Sequence, residues 1–138
     1  KPQRRTQLDT GFSRAVKLQV RTRAGRGDAE NARCECCGIH LGRHGGQVQH
    51  IVARGMGGTS NPVMSTAANG ALLCGTPQSG DHGLAESRDQ GMRAKGFWLP
   101  QGTDPRLVPM TLWSGESAWR PEHGTDYLFE APERVEAA

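Results

Sequence analysis

The spacing of three cysteines constrains the fold of this chain more than any other feature. Cys34 and Cys37 are separated by two residues, and Cys74 follows further along. A Cys-x-x-Cys turn lets both thiolates reach one tetrahedral ion, and Cys74 is the obvious third ligand. With 138 residues, 35% hydrophobic and 5% aromatic, the chain has a modest core that a metal crosslink would stabilise. The pattern therefore predicts a structural metal site, most simply Zn²⁺.

The sequence does not identify the fourth ligand of this site. Asp81 could supply a carboxylate oxygen. Cys36, His40 and His44 lie nearer to the first pair of cysteines. Because Cys36 adjoins Cys37, ligation by both would be strained, and we interpret Cys36 as a small buried or half-exposed thiol.

Disulfides are the alternative use of four cysteines. The first residues are not followed by the apolar stretch of a signal peptide, so we expect a reduced, cytoplasmic protein and a metal site rather than disulfides. A thiol–disulfide enzyme would need a βαβ pattern around Cys34 and Cys37, and the sequence does not have one.

The hydrophobic pattern predicts an α+β fold. Apolar residues recur at helical spacing from Phe12 to Val20, which predicts an amphipathic helix over 12–24 with Arg and Lys on its other face. A second helix is predicted over 81–95, weakened by Gly91. Short strands are predicted at 47–52, 97–99, 108–113 and 127–129, with loops at 34–46, 54–68 and 75–80.

Charge is distributed unevenly along the chain. Residues 1–27 carry eight cationic side chains and one acidic one, net +7, whereas the whole chain has a formal net charge of +3. A basic helix of this kind can lie along a phosphate backbone or can simply be solvated. The candidates for phosphate contacts on it are Arg14, Lys17 and Arg21. No apolar run reaches about 18 residues, so no membrane span is predicted.

Four stretches of the sequence resemble the HNH endonucleases, or ββα-metal nucleases, and in particular small HNH proteins of actinobacteria and phages. The stretches are 34–38, 48–58, 69–74 and 81–87, and residues 96–99 together with 104–105 are similar as well. The resemblance covers about residues 12–113. It implies a small ββα-metal core in which an antiparallel hairpin, a loop and a helix surround one divalent cation. A Cys-based zinc knuckle, an N-terminal basic helix and short C-terminal strands would complete the fold.

The resemblance also implies roles for individual residues. His50 matches the general base that takes a proton from the attacking water, which suits an imidazole near neutral pH. Asn69 matches the asparagine that positions the loop and the base. Gln49 and His82 match the ligands of the catalytic cation, and Arg54 could contact a phosphate oxygen.

Two positions depart from the family pattern. Gln49 stands where relatives usually carry Asp or His, and a neutral amide binds a hard cation more weakly than a carboxylate does. Asp81 stands where many relatives carry the fourth zinc-binding cysteine. It could complete the zinc site, or it could turn toward the catalytic cation and compensate for Gln49.

Together these features predict a nuclease domain over 12–113, preceded by a basic arm over 1–11 and followed by an acidic C-terminal extension over 114–138. We expect hydrolysis of phosphodiester bonds in double-stranded DNA, with Mg²⁺ or Mn²⁺ at the catalytic site and Zn²⁺ or Ni²⁺ as alternatives. The resemblance implies the cytoplasm of a bacterial or phage-infected cell, with terminase proteins of DNA packaging as partners. The alternatives are a zinc-stabilised DNA-binding module that has lost turnover through Gln49, and a protein-interaction subunit.

Overall fold

Three helices and two short antiparallel sheets make up the described part of the chain. A computed structural model describes residues 11–53 and 61–132. Its elements are joined by short 3₁₀ turns and loops. In chain order they are helix α1 (Arg14–Ala24), strands β1 (Gln47–His50) and β2 (Gly70–Leu73), helices α2 (Gly80–Glu86) and α3 (Gln90–Ala94), and strands β3 (Met110–Thr111) and β4 (Ser117–Ala118).

Strands β1 and β2 lie at the centre of the fold. They pair antiparallel, and every residue of β2 is buried. One face of this sheet packs against α1, where Val20 and Leu72 belong to a small apolar cluster. The other face packs against α2, α3 and the C-terminal segment through a larger cluster that includes Leu73, Phe97 and Met110. The two sides of β1 therefore face different parts of the protein.

Helix α1 lies where the sequence predicts a helix. The side chain of Ser13 caps the helix, because its hydroxyl accepts a hydrogen bond from the backbone N–H of Val16 at 3.1 Å. Val20 is fully buried against the sheet. Arg23 is buried as well, so the expectation that the Arg and Lys residues of this helix all face solvent is wrong.

Arg23 forms a buried ion pair with Glu35. Its Nε and Nη2 atoms each lie 3.0 Å from a carboxylate oxygen of Glu35. The hydroxyl of Tyr127 and the backbone N–H of Leu72 also donate to this carboxylate. Burial lowers the pKa of Arg23, but the Glu35 carboxylate outweighs this and raises it; burial raises the pKa of Tyr127, which stays a donor. The network joins α1, the cysteine turn, β2 and the C-terminal segment.

A second buried guanidinium, that of Arg120, binds main-chain carbonyls. Its Nε donates to Ala68 at 3.0 Å, and its Nη2 donates to Pro105 at 2.9 Å and to Val108 at 3.0 Å. Burial lowers the pKa of Arg120 to about 9, so it is still charged near pH 7. Residues 114–132, placed in the predicted C-terminal extension, are thus packed onto the rest of the protein through Arg120 and Tyr127.

The predicted helix over 81–95 is in fact two helices, α2 and α3. The chain leaves helical geometry at Arg88, which has a φ of 62°. Asp89 then caps α3, because its carboxylate accepts a hydrogen bond from the backbone N–H of Met92 at 3.1 Å. The break therefore comes from the capping residue and not from Gly91, which lies inside α3.

The C-terminal strands are shorter than predicted. The predicted strands at 97–99 and 127–129 pair through single bridges, Leu99 with Val52 and Leu128 with Trp119. Strand β3 covers only part of the predicted 108–113, and its partner β4 was not predicted because Ser117 and Ala118 lack an apolar alternation. None of the helices in the described residues is long and apolar enough to cross a membrane.

Candidate functional site

Four potential metal ligands converge at one point. Cys34, Cys37, Cys74 and Asp81 each place one ligand atom within 4.8 Å of the others. The first two come from the turn before β1, Cys74 follows β2, and Asp81 lies in the first turn of α2. Three separate segments of the chain thus supply a donor set that could hold a metal ion.

Three of the distances among these atoms are close to the edges of a tetrahedral site. The Sγ atoms of Cys37 and Cys74 lie 3.8 Å apart, and Oδ2 of Asp81 lies 3.2 Å from Sγ of Cys34 and 3.5 Å from Sγ of Cys74. Tetrahedral zinc with Zn–S bonds of about 2.3 Å and a Zn–O bond of about 2.0 Å has S–S edges of about 3.8 Å and S–O edges of about 3.5 Å. The cluster could therefore hold an ion of this size, and Asp81 lies where the fourth ligand, which the sequence left open, would be needed.

Backbone N–H groups are aimed at the sulfurs of this cluster. The N–H groups of Cys37 and Cys74 point to Sγ of Cys34 at 3.5 and 3.4 Å, and the N–H of Asp81 points to Sγ of Cys74 at 3.5 Å. Donors of this kind stabilise thiolates. Gly38 closes the first turn with a φ of 83°, a conformation that glycine adopts without strain.

The protonation of the thiols in the cluster bears on metal binding, and of the three Cys34 is buried, Cys74 half-buried and Cys37 exposed. Burial raises the pKa of Cys34 and of Cys37. Because a metal binds the thiolate, binding must release protons from these groups, which makes metal affinity depend on pH.

Cys36 lies in the core and not in the cluster, in agreement with its interpretation as a buried thiol. Its Sγ lies 3.7 Å from the sulfur of Met92, and burial raises its pKa to about 12. The ring of His40, another alternative ligand, lies 3.0 Å from the carbonyl oxygen of Glu30.

A second polar group begins at the next residue of α2. Consecutive residues of a helix project about 100° apart, so His82 faces β1 whereas Asp81 faces the cysteines. His82 is buried with its ring between two glutamines: Nδ1 contacts Oε1 of Gln49, and Nε2 lies 2.8 Å from Oε1 of Gln47. The structure thus brings together Gln49 and His82, which the resemblance places at the catalytic cation, and adds Gln47.

The chemistry of this group depends on a neutral imidazole. Burial lowers the pKa of His82, and the carboxylate of Glu86 one helical turn away partly offsets this. A neutral ring has a lone pair to offer a cation. Since Asp81 faces the cysteines, it does not compensate for Gln49, and the donors around His82 are amide oxygens. The imidazole nitrogen of such a set favours late first-row ions, and its neutral amide oxygens bind Mg²⁺ more weakly than carboxylates would.

Asn69 holds the chain that follows β1. Its fully buried side chain accepts a hydrogen bond from the N–H of Val52 at 2.8 Å and donates to the carbonyls of Val52 at 3.0 Å and Met64 at 3.2 Å. Its own carbonyl accepts from the N–H of Ile51 at 2.9 Å. These contacts fit the loop-positioning role implied for the asparagine, because they fix the backbone immediately after His50.

His50 lies on the opposite side of β1 from Gln49, as consecutive strand residues do. Its ring stacks on Phe12, with 4.0 Å between ring centroids and 15° between planes. The cross-strand partner of His50 is Gly70, where an added Cβ would lie 3.4 Å from the Phe12 ring. Because His50 and Gln49 project from opposite faces of β1, only a phosphate at the end of the strand could contact both His50 and the Gln49–His82 pair.

The cationic residues predicted to contact nucleic acid differ in their surroundings. Arg14 and Lys17 are exposed on α1. Arg21 donates instead to three main-chain carbonyls of the loop 42–46, at 3.0, 2.7 and 3.3 Å, and burial lowers its pKa. Arg21 is thus held by the protein and is less able than the other two to reach a phosphate. Arg54 lies outside the described residues.

Two features of the structure were not predicted from the sequence: the contact of Gln47 with His82 and the buried network of Arg23, Glu35 and Tyr127. Gln47 is two residues before Gln49 on a predicted strand, so same-face alternation could have indicated that it joins the site. Arg23, Glu35 and Tyr127 meet in the buried network, but nothing in their spacing indicates contact.

Comparisons of the chain with protein-family models, with curated proteins and with solved structures find no match.

Proposed function

We propose that this protein is a metal-dependent endonuclease of the HNH type that hydrolyses phosphodiester bonds in DNA. The observation that carries the proposal is the meeting of Gln49 on β1 with His82 on α2, beside a strand end formed by His50. An antiparallel strand pair followed by a helix is the arrangement that the resemblance implies for such a centre. The clamp that Asn69 forms on the chain after His50 supports the same assignment.

In this proposal Gln49 and His82 hold a divalent cation, which when bound neutralises charge on the phosphate and on the leaving oxygen. His50 takes a proton from the attacking water while the water oxygen bonds to phosphorus and the bond to the leaving oxygen breaks. Phe12 holds the His50 ring by stacking.

The surface beside His50 supports DNA as the substrate. Helix α1 packs on the same side of the sheet as His50 and carries the exposed cations Arg14 and Lys17. Cations at these positions can contact the phosphate backbone with salt-dependent affinity and no sequence preference. We also propose that the Cys34, Cys37, Cys74 and Asp81 cluster holds a structural Zn²⁺.

Plasmid nicking tests the proposal. The protein is prepared with one zinc per chain and no other divalent cation, and Mg²⁺, Mn²⁺ or Ni²⁺ is then added. We expect cleavage that requires the added cation, and we expect His50→Ala to lower its rate by roughly 10²–10⁴-fold because the general base is lost. The measurement is the rate at which supercoiled plasmid becomes nicked.

His44→Ala is the matched control, since His44 is an exposed histidine outside both polar groups. It should cut at the wild-type rate, and the melting temperature of both variants should show that they are folded. Cleavage by His50→Ala at the wild-type rate would remove His50 from the mechanism. No cleavage with any cation would end the nuclease proposal.

Cation preference gives a separate prediction. Because amides replace carboxylates around His82, we expect Mn²⁺ and Ni²⁺ to support cleavage better than Mg²⁺. Gln49→Asp adds an anionic oxygen and should raise the Mg²⁺-supported rate by roughly tenfold, about 1.4 kcal/mol in the barrier. Gln78→Asp, at an exposed loop glutamine, is the control and should leave the rate ratio between cations unchanged.

A second candidate function is a zinc-stabilised DNA-binding or DNA-packaging accessory module without turnover. Gln49 favours it, because a neutral amide stands where a carboxylate would bind the cation and Asp81 faces the cysteines. This candidate predicts retained zinc and salt-dependent DNA binding, together with no nicking under any cation.

A further inference from the structure

Gln47 is the residue of the His82 group to which neither the sequence nor the resemblance assigns a role. Gln47 and Gln49 are two apart on β1, so both side chains project from the same face toward α2. The His82 ring lies between them, with Nε2 2.8 Å from Oε1 of Gln47 and Nδ1 against Oε1 of Gln49. The two ring nitrogens are thus in contact with two different amides.

The two contacts cannot both be hydrogen bonds of the same kind. A neutral imidazole has one N–H group and one lone pair, whereas in the amide orientations of this structure both glutamines present a carbonyl oxygen, which only accepts. One ring nitrogen can therefore donate to its glutamine, and the other directs a lone pair at an oxygen. The lone pair of that nitrogen and the lone pair of the facing glutamine oxygen repel each other unless both bind the same cation.

Two observations decide which contact is the hydrogen bond. The separation between Nε2 and Gln47 is 2.8 Å, an ordinary length for an N–H group donating to oxygen. Gln49, in contrast, adjoins His50 and so lies at the end of β1 where a phosphate would sit, whereas Gln47 begins the strand. The N–H group belongs on the Gln47 side, and the lone pair belongs on the Gln49 side.

We propose that Gln47 is a positioning residue: its amide oxygen accepts the Nε2–H of His82, holds the ring in that tautomer and turns the Nδ1 lone pair toward the cation position shared with Gln49. The inference rests on the proposed function for the positions of the cation and of the phosphate. Partners of this kind orient metal-binding histidines and make them better ligands, and losing one typically weakens metal affinity by about 10–100-fold.

The tautomer can be measured without any reaction. Long-range ¹H–¹⁵N spectra of the zinc-loaded protein, labelled with ¹⁵N-histidine, report which nitrogen of each ring carries the proton, and His82→Ala identifies the His82 signals. We expect the Nε2–H tautomer for His82 in the wild type and in Gln49→Ala. Gln47→Ala should give a mixture of tautomers, because its acceptor is gone.

Calorimetric titration of Ni²⁺ into the same zinc-loaded proteins provides the second readout, with His82→Ala as the background for binding elsewhere. Gln47→Ala should weaken Ni²⁺ binding by about 10–100-fold, and Gln47→Glu should restore it, since a carboxylate accepts the same Nε2–H. Gln47 is exposed, so these variants should keep the wild-type melting temperature.

Either of two results would overturn the inference: an Nδ1–H tautomer in the wild type, which would mean that Gln47 does not receive the proton, or unchanged Ni²⁺ affinity in Gln47→Ala. Both are independent of nuclease activity. If the tautomer and Ni²⁺ results are as expected while no cation supports nicking, the role of Gln47 stands and the nuclease proposal fails.

Discussion

Replacing Cys34 with serine is expected to abolish zinc binding by the cysteine cluster and to leave the protein without a cooperative thermal transition. Sγ of Cys34 accepts two backbone N–H groups and lies 3.2 Å from Asp81, so it is the central donor of the cluster. A structural zinc contributes about 10–16 kcal/mol in small domains, whereas whole domains are stable by only about 5–15 kcal/mol. Metal content and near-ultraviolet circular dichroism on heating measure the two effects.

The chain supplies its own control for this experiment. Cys36→Ser makes the same change at a buried cysteine outside the cluster, so this variant should retain one metal per chain and melt cooperatively, at a somewhat lower temperature because a polar group enters the core. If Cys34→Ser kept a stoichiometric metal and the wild-type transition, the cluster would not be the structural metal site.

Glu35→Ala is expected to destabilise the metal-loaded protein by about 3–5 kcal/mol. The substitution leaves the Arg23 guanidinium, which is only 2% exposed, buried without its carboxylate. It also removes the acceptor of the Tyr127 hydroxyl and of the Leu72 N–H. Urea unfolding followed by fluorescence measures the change, with zinc content checked in the same sample.

An exposed ion pair is the control for the buried one. Glu30 and Arg43 lie 2.8 Å apart, but their side chains are 64% and 45% exposed. Because solvent screens such pairs, Glu30→Ala should leave the urea midpoint unchanged within error. Equal effects of the two substitutions would show that the Arg23–Glu35 pair does not hold the C-terminal segment to the core as its contacts indicate.

In the metal cluster, local spacing predicts the cysteine pair but not the position of Asp81. Two residues between Cys34 and Cys37 restrict both thiols to one turn, so the pair could be assigned from sequence. Asp81 could not be assigned, because the choice between the cysteines and His82 depends on the direction in which α2 leaves its loop. Only packing of α2 beside β2 sets that direction.

Local sequence patterns do not predict the buried network of Arg23, Glu35 and Tyr127. Arg23 and Glu35 carry charges, and charged side chains usually face solvent, so composition predicts exposure for both. They are buried because Tyr127 and the main chain of β2 satisfy the carboxylate from distant parts of the sequence. No local pattern encodes contacts of this range.

The amino-acid sequence by itself predicted helix α1, strand β1 and the paired cysteines, since each depends on periodicity or on short spacing. The family resemblance of the sequence, and not such a pattern, named His50, Asn69 and His82 as candidate residues. The tertiary structure alone decided that Asp81 joins the cysteines, that Gln47 joins His82 and that Arg23 is buried. The physical reason is that ligation, hydrogen bonding and ion pairing need atoms within a few ångströms, and the packing of whole elements brings those atoms together.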